Sequence, residues 1–221
     1  MGDGAVNNGV EIQVMLFHGN GQADWDQILY LSASVACDGS AMGTSTDSPM
    51  PCKDVVALFD QMELIVRPIT PGDADALVRF HHLLSRRSKT QRYFYPHLDL
   101  SGDEVAHLTQ VDGRDRVALV VEHDDRLIAV GRYERLDDST EAEVAFVVAD
   151  DFQGHGIAPM LLHRLAQLAR PAGIDHFIAE VLMDNRTMLS VFQQSGFPTE
   201  SKRELDTVEV TMAIKPAAGA A

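Results

Sequence analysis

The sequence predicts a mixed α/β (α+β) fold. The expected core is a central sheet with an antiparallel meander and one parallel strand–helix–strand unit, covered by helices on both faces. Three features of the chain point there. Runs rich in β-branched residues at 117–122 (VALVVE), 126–133 (RLIAVGRY) and 141–148 follow one another across short polar connections, the pattern of hairpin-linked strands. The last run enters a glycine-flanked loop and a helix, and an apolar run at 175–182 (DHFIAEVL) returns beyond Gly173. A unit of that length pairs its strands in parallel by a right-handed crossover. Apolar residues at helical spacing, Ala76, Leu77, Phe80, Leu83 and Leu84, precede the meander and supply a helix for one face.

In chain order, residues 1–62 form an acidic N-terminal extension, with eight acids against the single base Lys53. A strand is expected over 11–17, a turn at 18–22, a helix over 24–36 with Trp25, Ile28, Leu29 and Leu31, and a Gly/Ser/Thr/Pro-rich linker over 38–51. A short helix is expected over 54–61. The main domain spans 63–216. Its elements are a strand at 64–69, a helix at 73–84 capped by Thr70 or Asp73, and a basic turn at 85–89. An aromatic cluster of Tyr93, Phe94 and Tyr95 and a short helix at 101–110 follow. After the meander come a helix from Pro159 to about Arg170, the returning strand, a helix over 185–195 closed by Gly196, and one strand over 204–214. Residues 217–221 are a tail.

Composition narrows the function. The chain has 221 residues, 45% of them hydrophobic, and a net charge of −15, enough for one full domain and an appendage. That charge opposes nonspecific nucleic-acid binding and an anionic membrane surface, and favours cationic partners, amines included. Cys37 and Cys52 lie outside any C-x-x-C pair and read as thiols of a cytoplasmic protein, although a disulfide between them is compatible with the sequence. No apolar run is long enough to span a membrane, and Asp3 with no basic region gives no secretory signal. The nine histidines show no metal-binding spacing, so no metal is expected.

The chemistry concentrates in residues 143–162, EVAFVVADDFQGHGIAPMLL. Residues 144–148 are a buried strand. Beyond Asp150 and Asp151, the loop Gln153-Gly154-His155-Gly156-Ile157-Ala158 leads into Pro159, which suits a first helical turn because it has no N–H to leave unpaired. Glycines ahead of a helix leave backbone N–H groups uncovered, and the helix dipole adds positive character, a setting for a pyrophosphate or similar anion.

This order of elements, with Gln153-x-x-Gly156-x-Ala158 after a strand, resembles the GNAT N-acetyltransferase superfamily, whose acyl-CoA signature is Q/R-x-x-G-x-G/A. The resemblance covers roughly 63–214. Asn185 with Ser195-Gly196-Phe197 strengthens it, and Arg67-Pro68, Arg92-Tyr93-Phe94, Ala142-Glu143-Val144-Ala145-Phe146, the 151–157 loop and Val181 to Asn185 extend it to the catalytic domains of bacterial Pat-type protein lysine acetyltransferases. Such enzymes often carry a cyclic-nucleotide-binding module. Residues 1–62 are too few for that module and lack its β-barrel pattern, so cyclic-nucleotide control is not implied.

The resemblance implies a GNAT fold and acetyl-CoA as co-substrate. Backbone groups of Phe146, Val147 and Val148 would pair with the pantetheine arm. Amides of Gln153, Gly154, His155, Gly156, Ile157 and Ala158 would hold the pyrophosphate. Asn185 would bond the pantetheine region, and Glu143 would be the general base. The acceptor would be a cationic amine, in the Pat-type reading a protein lysine. Two departures stand out: Phe192 replaces the tyrosine that many GNAT enzymes use as general acid, and His155 takes a loop position where a basic residue is common. The histidine would make CoA affinity pH-sensitive.

Chemistry supports Glu143 independently. Acyl transfer needs a neutral amine, whereas lysine titrates near about 10.4, so a carboxylate must take its proton, directly or through water. Partial burial where the strand turns apolar would raise the pKa of Glu143 and suit it to that task. Alternation places Glu141, Glu143, Ala145 and Val147 on one face. The oxyanion would meet the backbone N–H of Val147 or its neighbour. The absence of a cysteine near the motif favours direct attack in a ternary complex over an acyl-enzyme. Blander readings stand beside these: Glu143 as a solvated strand end, Asn185 as a helix cap only, and Arg86, Arg87 and Lys89 as a solvated face or a site for the 3′-phosphate. A small-amine acetyltransferase, for a polyamine or aminoglycoside, and a non-catalytic acyl-CoA-binding module are the competing functions.

Overall fold

The computed structural model describes residues 62–95, 99–137 and 139–215, together with the backbone of four N-terminal strands. These four are β1 (Met15–Phe17), β2 (Ala23–Ile28), β3 (Ser32–Val35) and β4 (Lys53–Ala57). The main domain adds seven: β5 (Glu63–Pro68), β6 (Arg116–His123), β7 (Arg126–Arg135), β8 (Glu141–Val148), β9 (His176–Leu182), β10 (Thr199–Glu204) and β11 (Thr207–Ala213). Its helices are α1 (Ala74–Leu83), α2 (Arg86–Tyr93), α3 (Gly102–Thr109), α4 (Ile157–Ala169) and α5 (Arg186–Gln193). One nine-stranded sheet runs in the order β10, β11, β9, β8, β7, β6, β5, β4, β3, and β1 pairs with β2 apart from it. The expected meander is β6–β7–β8, antiparallel throughout. The expected crossover is β8–α4–β9, the parallel pair of the sheet.

Helices cover both faces of the sheet, each over its own core. On one side α4 supplies Ile157, Met160, Leu161, Leu162 and Leu165, all at most 1% exposed, to a cluster with Leu119, Val121 and Val144 of the meander and Phe177 of β9. On the other, Leu77, Phe80 and Leu84 pack against Ala118, Val120 and Val130. Alternation within β6, β7 and β8 sends successive side chains to the two cores. Burying one leucine-sized side chain contributes about 1.5–3 kcal/mol, so both layers hold the sheet in place.

Several expected elements differ. Strands β2 and β3 replace most of the helix expected over 24–36, and β4 replaces the start of the one expected over 54–61. A short apolar run fits either period, and here pairing decides: β4 finds the edge of β5, Val55 opposite Ile65, and β3 adds to β4. Of the strand expected over 11–17, Met15–Phe17 is β1. The rest of that strand, the turn at 18–22, the linker at 38–51, Cys37, Cys52, residues 58–61, Pro96 and the tail lie outside the described residues. The basic turn at 85–89 is the first half of α2, whose N-terminus the Ser85 hydroxyl caps by accepting from the Ser88 amide at 3.2 Å. Helix α4 starts at Ile157, two residues before the expected Pro159, which sits in its first turn. The single strand expected over 204–214 is the hairpin β10–β11, turning at Leu205 and Asp206. The β10 side chains are almost all exposed, so no apolar alternation marks them in the sequence.

Candidate active site

Strands β8 and β9 pair only over Glu141 with His176, Ala142 with Phe177 and Glu143 with Ile178. Beyond Glu143 they part, although β8 runs on to Val148 and β9 to Leu182. The parting opens a cleft in the middle of the sheet, with Glu143 on the last paired rung. Register settles which backbone groups face it. Ala149 N–H donates to the Ile128 carbonyl and Leu136 N–H to the Glu141 carbonyl. In an antiparallel ladder this makes Val147–Val130, Ala145–Arg132 and Glu143–Glu134 the hydrogen-bonded pairs. The N–H and C=O of Phe146 and Val148 therefore point into the cleft, while those of Val147 are spent on β7. Val147 offers the site its side chain, and the amides on either side of it, those of Phe146 and Val148, face the cleft.

The loop after β8 is held open by glycine geometry and a polar brace. Gly154 (φ +84°) and Gly156 (φ +80°) adopt the left-handed conformation, which costs other residues about 1–2 kcal/mol. Gly156 is the N-cap of α4, and no side chain caps that helix, so its first-turn amides keep their capacity for an anion. The Gln153 side chain turns inward, donating to the Val148 carbonyl at 3.1 Å and the Ser88 hydroxyl at 3.2 Å. Asp150 accepts from the Ser85 amide at 2.9 Å, the Ser85 hydroxyl at 2.7 Å and the Ser88 hydroxyl at 2.8 Å. Burial opposes its charge, but these bonds prevail and hold its carboxyl below the ordinary range. The brace ties the start of α2 to the loop. His155 is exposed, and its Nδ1 lies 3.1 Å from the Gln153 carbonyl.

A cavity of about 400 Å3 follows the cleft. Phe146, Val147 and Val148 form one wall, Gly154, Gly156, Ile157 and Ala158 one end, and Asn185 with Met188 the other wall. Asn185 caps α5, its Oδ1 accepting from the Met188 amide at 3.2 Å, and also lines this cavity. Capping and cavity lining thus coexist. Phe192 is buried against Phe146, with ring centroids 6.1 Å apart.

A second cavity, of about 450 Å3, lies on the face of α3. Glu143, Glu134, Asp103 and Glu104 give it an acidic lining, with His107 and Arg132 beside them. Glu143 is exposed and not partly buried as expected, because the parted sheet leaves its rung uncovered. It has no hydrogen bond or ion pair among the described residues, whereas Glu134 opposite it is engaged by His107 at 3.3 Å and Arg116 at 3.5 Å. A small cavity lined by Glu143, Ala145, Phe146, Asn185, Phe192 and Arg92 joins the two. The expected alternation holds: Glu141, Glu143, Ala145 and Val147 share the less buried face.

Sequence reading weighed Arg87 as a 3′-phosphate site and quoted Arg92 in the resemblance, but missed Ser88 and Gln91 and the helix α2 that carries all four. Its Arg87, Ser88, Gln91 and Arg92 line the first cavity, and Arg92 also borders the second. It also missed Arg132, which is 8% exposed in the middle of β7. Burial first, then the neighbouring Arg92, pushes the Arg132 guanidinium down to about 10. A charge inside an otherwise apolar strand is the signal that would have found it.

Comparison with known proteins bears on the family and the fold. Residues 63–198 match the model of the acetyltransferase (GNAT) domain family. The chain is 31% identical over 134 residues to acetyltransferase Pat of Mycolicibacterium smegmatis, an alignment covering 59% of this chain and 40% of that protein. The chain thus spans well under half of that relative's length. It superposes on the GNAT domain of S. lividans PAT with a TM-score of 0.69 and 38% identity, covering 73% of this chain and 96% of that one. A likeness in fold alone, at 18% identity and a TM-score of 0.58, reaches yncA from Salmonella typhimurium, solved with its cofactor acetyl-CoA, over 71% of this chain and 96% of that one. With a family match over most of the chain, a sheet that opens at Glu143 and a glycine loop at the start of α4, the chain belongs to the GNAT acetyltransferase family.

Proposed function

We propose that the chain moves an acetyl group from acetyl-CoA to the side-chain amine of a protein lysine, by direct attack in a ternary complex. In this reading the first cavity takes the acyl-CoA. The amides of residues 154–158 meet the pyrophosphate, the Gln153 amide being spent on the Asp150 carbonyl at 3.3 Å; the open edge of β8 at Phe146 and Val148 pairs with the pantetheine arm, and Asn185 meets it from the other wall. The Val147 side chain packs against the arm. The acidic cavity draws in the ammonium, and Glu143 takes its proton. Nitrogen then attacks the thioester carbon, the Phe146 amide meets the oxyanion, and the carbon–sulfur bond breaks with its electron pair on sulfur while the nitrogen gives its second proton to water as the amide forms. Residues 63–216 are the catalytic unit and 1–62 an extension to it. Acetyl-CoA and lysine acceptors assign the work to the cytoplasm.

The observation that carries this reading is the unpaired Glu143 carboxylate on the rung where the two cavities meet. A protein acceptor is favoured by the exposure of Asp103 and His107 at the cavity rim, which admits an amine carried on a larger body. Similarity to Pat proteins supports the same choice. The test is CoA release over a panel of lysine peptides, polyamines and aminoglycosides. Turnover on lysine peptides is expected; turnover on the small amines alone reassigns the acceptor, and binding of acetyl-CoA without any turnover refutes the enzyme. Glu143→Gln should lower kcat about 10²- to 10⁴-fold while acetyl-CoA binds as before. Equal turnover of the two proteins between about pH 6 and 9 would remove Glu143 from the mechanism.

A further inference from the structure

We propose that Arg92, with Arg132 behind it, stabilises the CoA thiolate as it leaves, in place of the hydroxyl that Phe192 lacks. The inference rests on the acyltransfer reading above. When the carbon–sulfur bond breaks, the electron pair stays on sulfur, and the proton of the amine has already gone to Glu143. Without a general acid, the sulfur departs as an anion and takes its proton later from water. An anion formed in a cleft needs a positive partner there.

Arg92 is placed for this. It is half-buried, lies at the end of α2, and borders the acyl-CoA cavity, the acceptor cavity and the small cavity that joins them. That small cavity is also lined by Phe192, Asn185 and Glu143, so it is where thioester and amine meet. The Arg92 guanidinium stacks over the Tyr93 ring at 5.1 Å, which fixes its direction without neutralising it. It has no ion pair with a carboxylate among the described residues. Arg132, on the rung of Ala145, donates to the Leu108 carbonyl at 3.3 Å and is close enough to Arg92 for each to oppose the other's charge. Two cations brought together in a chain of net charge −15 raise the potential at one spot.

On the acceptor side, Asp103, Glu104 and His107 of α3 and Glu134 of β7 face the second cavity. Toward the pyrophosphate end, Arg87 and Asp150 line the first, and Asp150 is already bonded to Ser85 and Ser88. Glu143 of β8 and Glu180 of β9 share the small cavity with Arg92. Once Glu143 has accepted the proton it is neutral, and Glu180 is then the one carboxylate of that cavity set against Arg92 and the Arg132 behind it as the thiolate forms.

The test needs no acceptor. CoA is bound to the full chain and its thiol is titrated by the ultraviolet absorbance of the thiolate. Free thiols of this kind titrate near about 8.5. In the wild-type complex the thiol–thiolate equilibrium should favour the anion about ten- to a hundredfold more than in free CoA. Arg92→Met should abolish that gain, Arg92→Lys should keep part of it, and Arg92→Gln gives a second uncharged variant should the first melt early. With acetyl-CoA and a lysine peptide, Arg92→Met should lower kcat about tenfold or more with little change in the KM for acetyl-CoA. An unmoved thiol equilibrium in the wild type, or one equal in wild type and Arg92→Met, overturns the proposal. So does a large loss of CoA affinity in the variant without a change at sulfur, which would make Arg92 a phosphate ligand. If the unchanged chain binds no CoA at all, the acyltransfer reading fails first and this proposal falls with it.

Discussion

Gly131 sits in β7 directly opposite Phe146, and its missing side chain shapes the cleft. A Cβ built there would lie 3.0 Å from Phe146 Cδ1, 3.2 Å from Phe146 Cε1 and 3.2 Å from Leu161 Cβ. Carbon–carbon contacts settle near about 3.5–4.0 Å, so something must move by roughly half an ångström. Leu161 is fully buried under α4 among Met160, Leu162 and Leu165 and has nowhere to go. Phe146 borders the acyl-CoA cavity, so its ring yields into that space. Overpacking of this kind costs about 1–3 kcal/mol, offset by about 0.5–1 kcal/mol for removing a glycine from a strand. Gly131→Ala should therefore lose about 1–2 kcal/mol of stability, or about 2–8 °C in Tm for a chain of this size. The displaced ring should weaken acetyl-CoA binding about tenfold, equivalent to ~1.4 kcal/mol. Thermal unfolding by circular dichroism and calorimetric titration with acetyl-CoA read the two effects. Gly102→Ala is the control, since a Cβ there meets nothing within 4 Å, and it should leave both measurements near wild type or slightly raise Tm. A Gly131→Ala protein that melts higher and binds acetyl-CoA normally would refute the steric account of the cleft.

Two further outcomes follow from the loop and from the start of the domain. Gly156→Glu should abolish acetyl-CoA binding in calorimetry, because it combines the left-handed strain of about 1–2 kcal/mol with a negative charge at the α4 amides; normal affinity would reject the loop as the pyrophosphate site. Asp73 accepts from Arg67 at 2.8 and 2.7 Å and from the Thr70 amide at 2.7 Å, and chiefly the Arg67 bond holds its carboxyl at about 2. Since the folded-state value lies below the unfolded one, the unfolded chain takes up the proton first as pH falls. The contribution is whole above about pH 4 and disappears toward about pH 2. Asp73→Asn should cost about 2 kcal/mol at neutral pH, with the gap from wild type closing across that window in chemical denaturation, and a gap that stays constant down to about pH 2 would contradict the assignment.

What was legible in the sequence follows from where the physics is local. The meander, the crossover and the glycine loop were readable because alternation, short polar turns and left-handed glycines are written into adjacent residues. Strand β10 was not, because an exposed edge strand needs no apolar face, and β4 was not, because its conformation is decided by an edge that β5 leaves open. Within the site the same division holds. Glu143 and Asn185 could be named from the motif around them. The exposure of Glu143 could not, because it arises from the separation of β8 from β9, a property of two strands distant in sequence. Nor could the ladder register that turns the Val147 amide away and the Phe146 amide toward the cleft, since one hydrogen bond at Ala149 sets the phase for the whole strand. Arg92 shows the limit most plainly. In the sequence it belongs to the Arg92-Tyr93-Phe94 stretch that resembles Pat-type enzymes, and nothing around it assigns it a role. Asp150, far along the chain, bonds Ser85 and Ser88 and so turns the far end of α2 inward. A guanidinium with no role legible in its own stretch is thereby carried to the meeting point of two cavities, and the residue that steers it there takes no part in the chemistry.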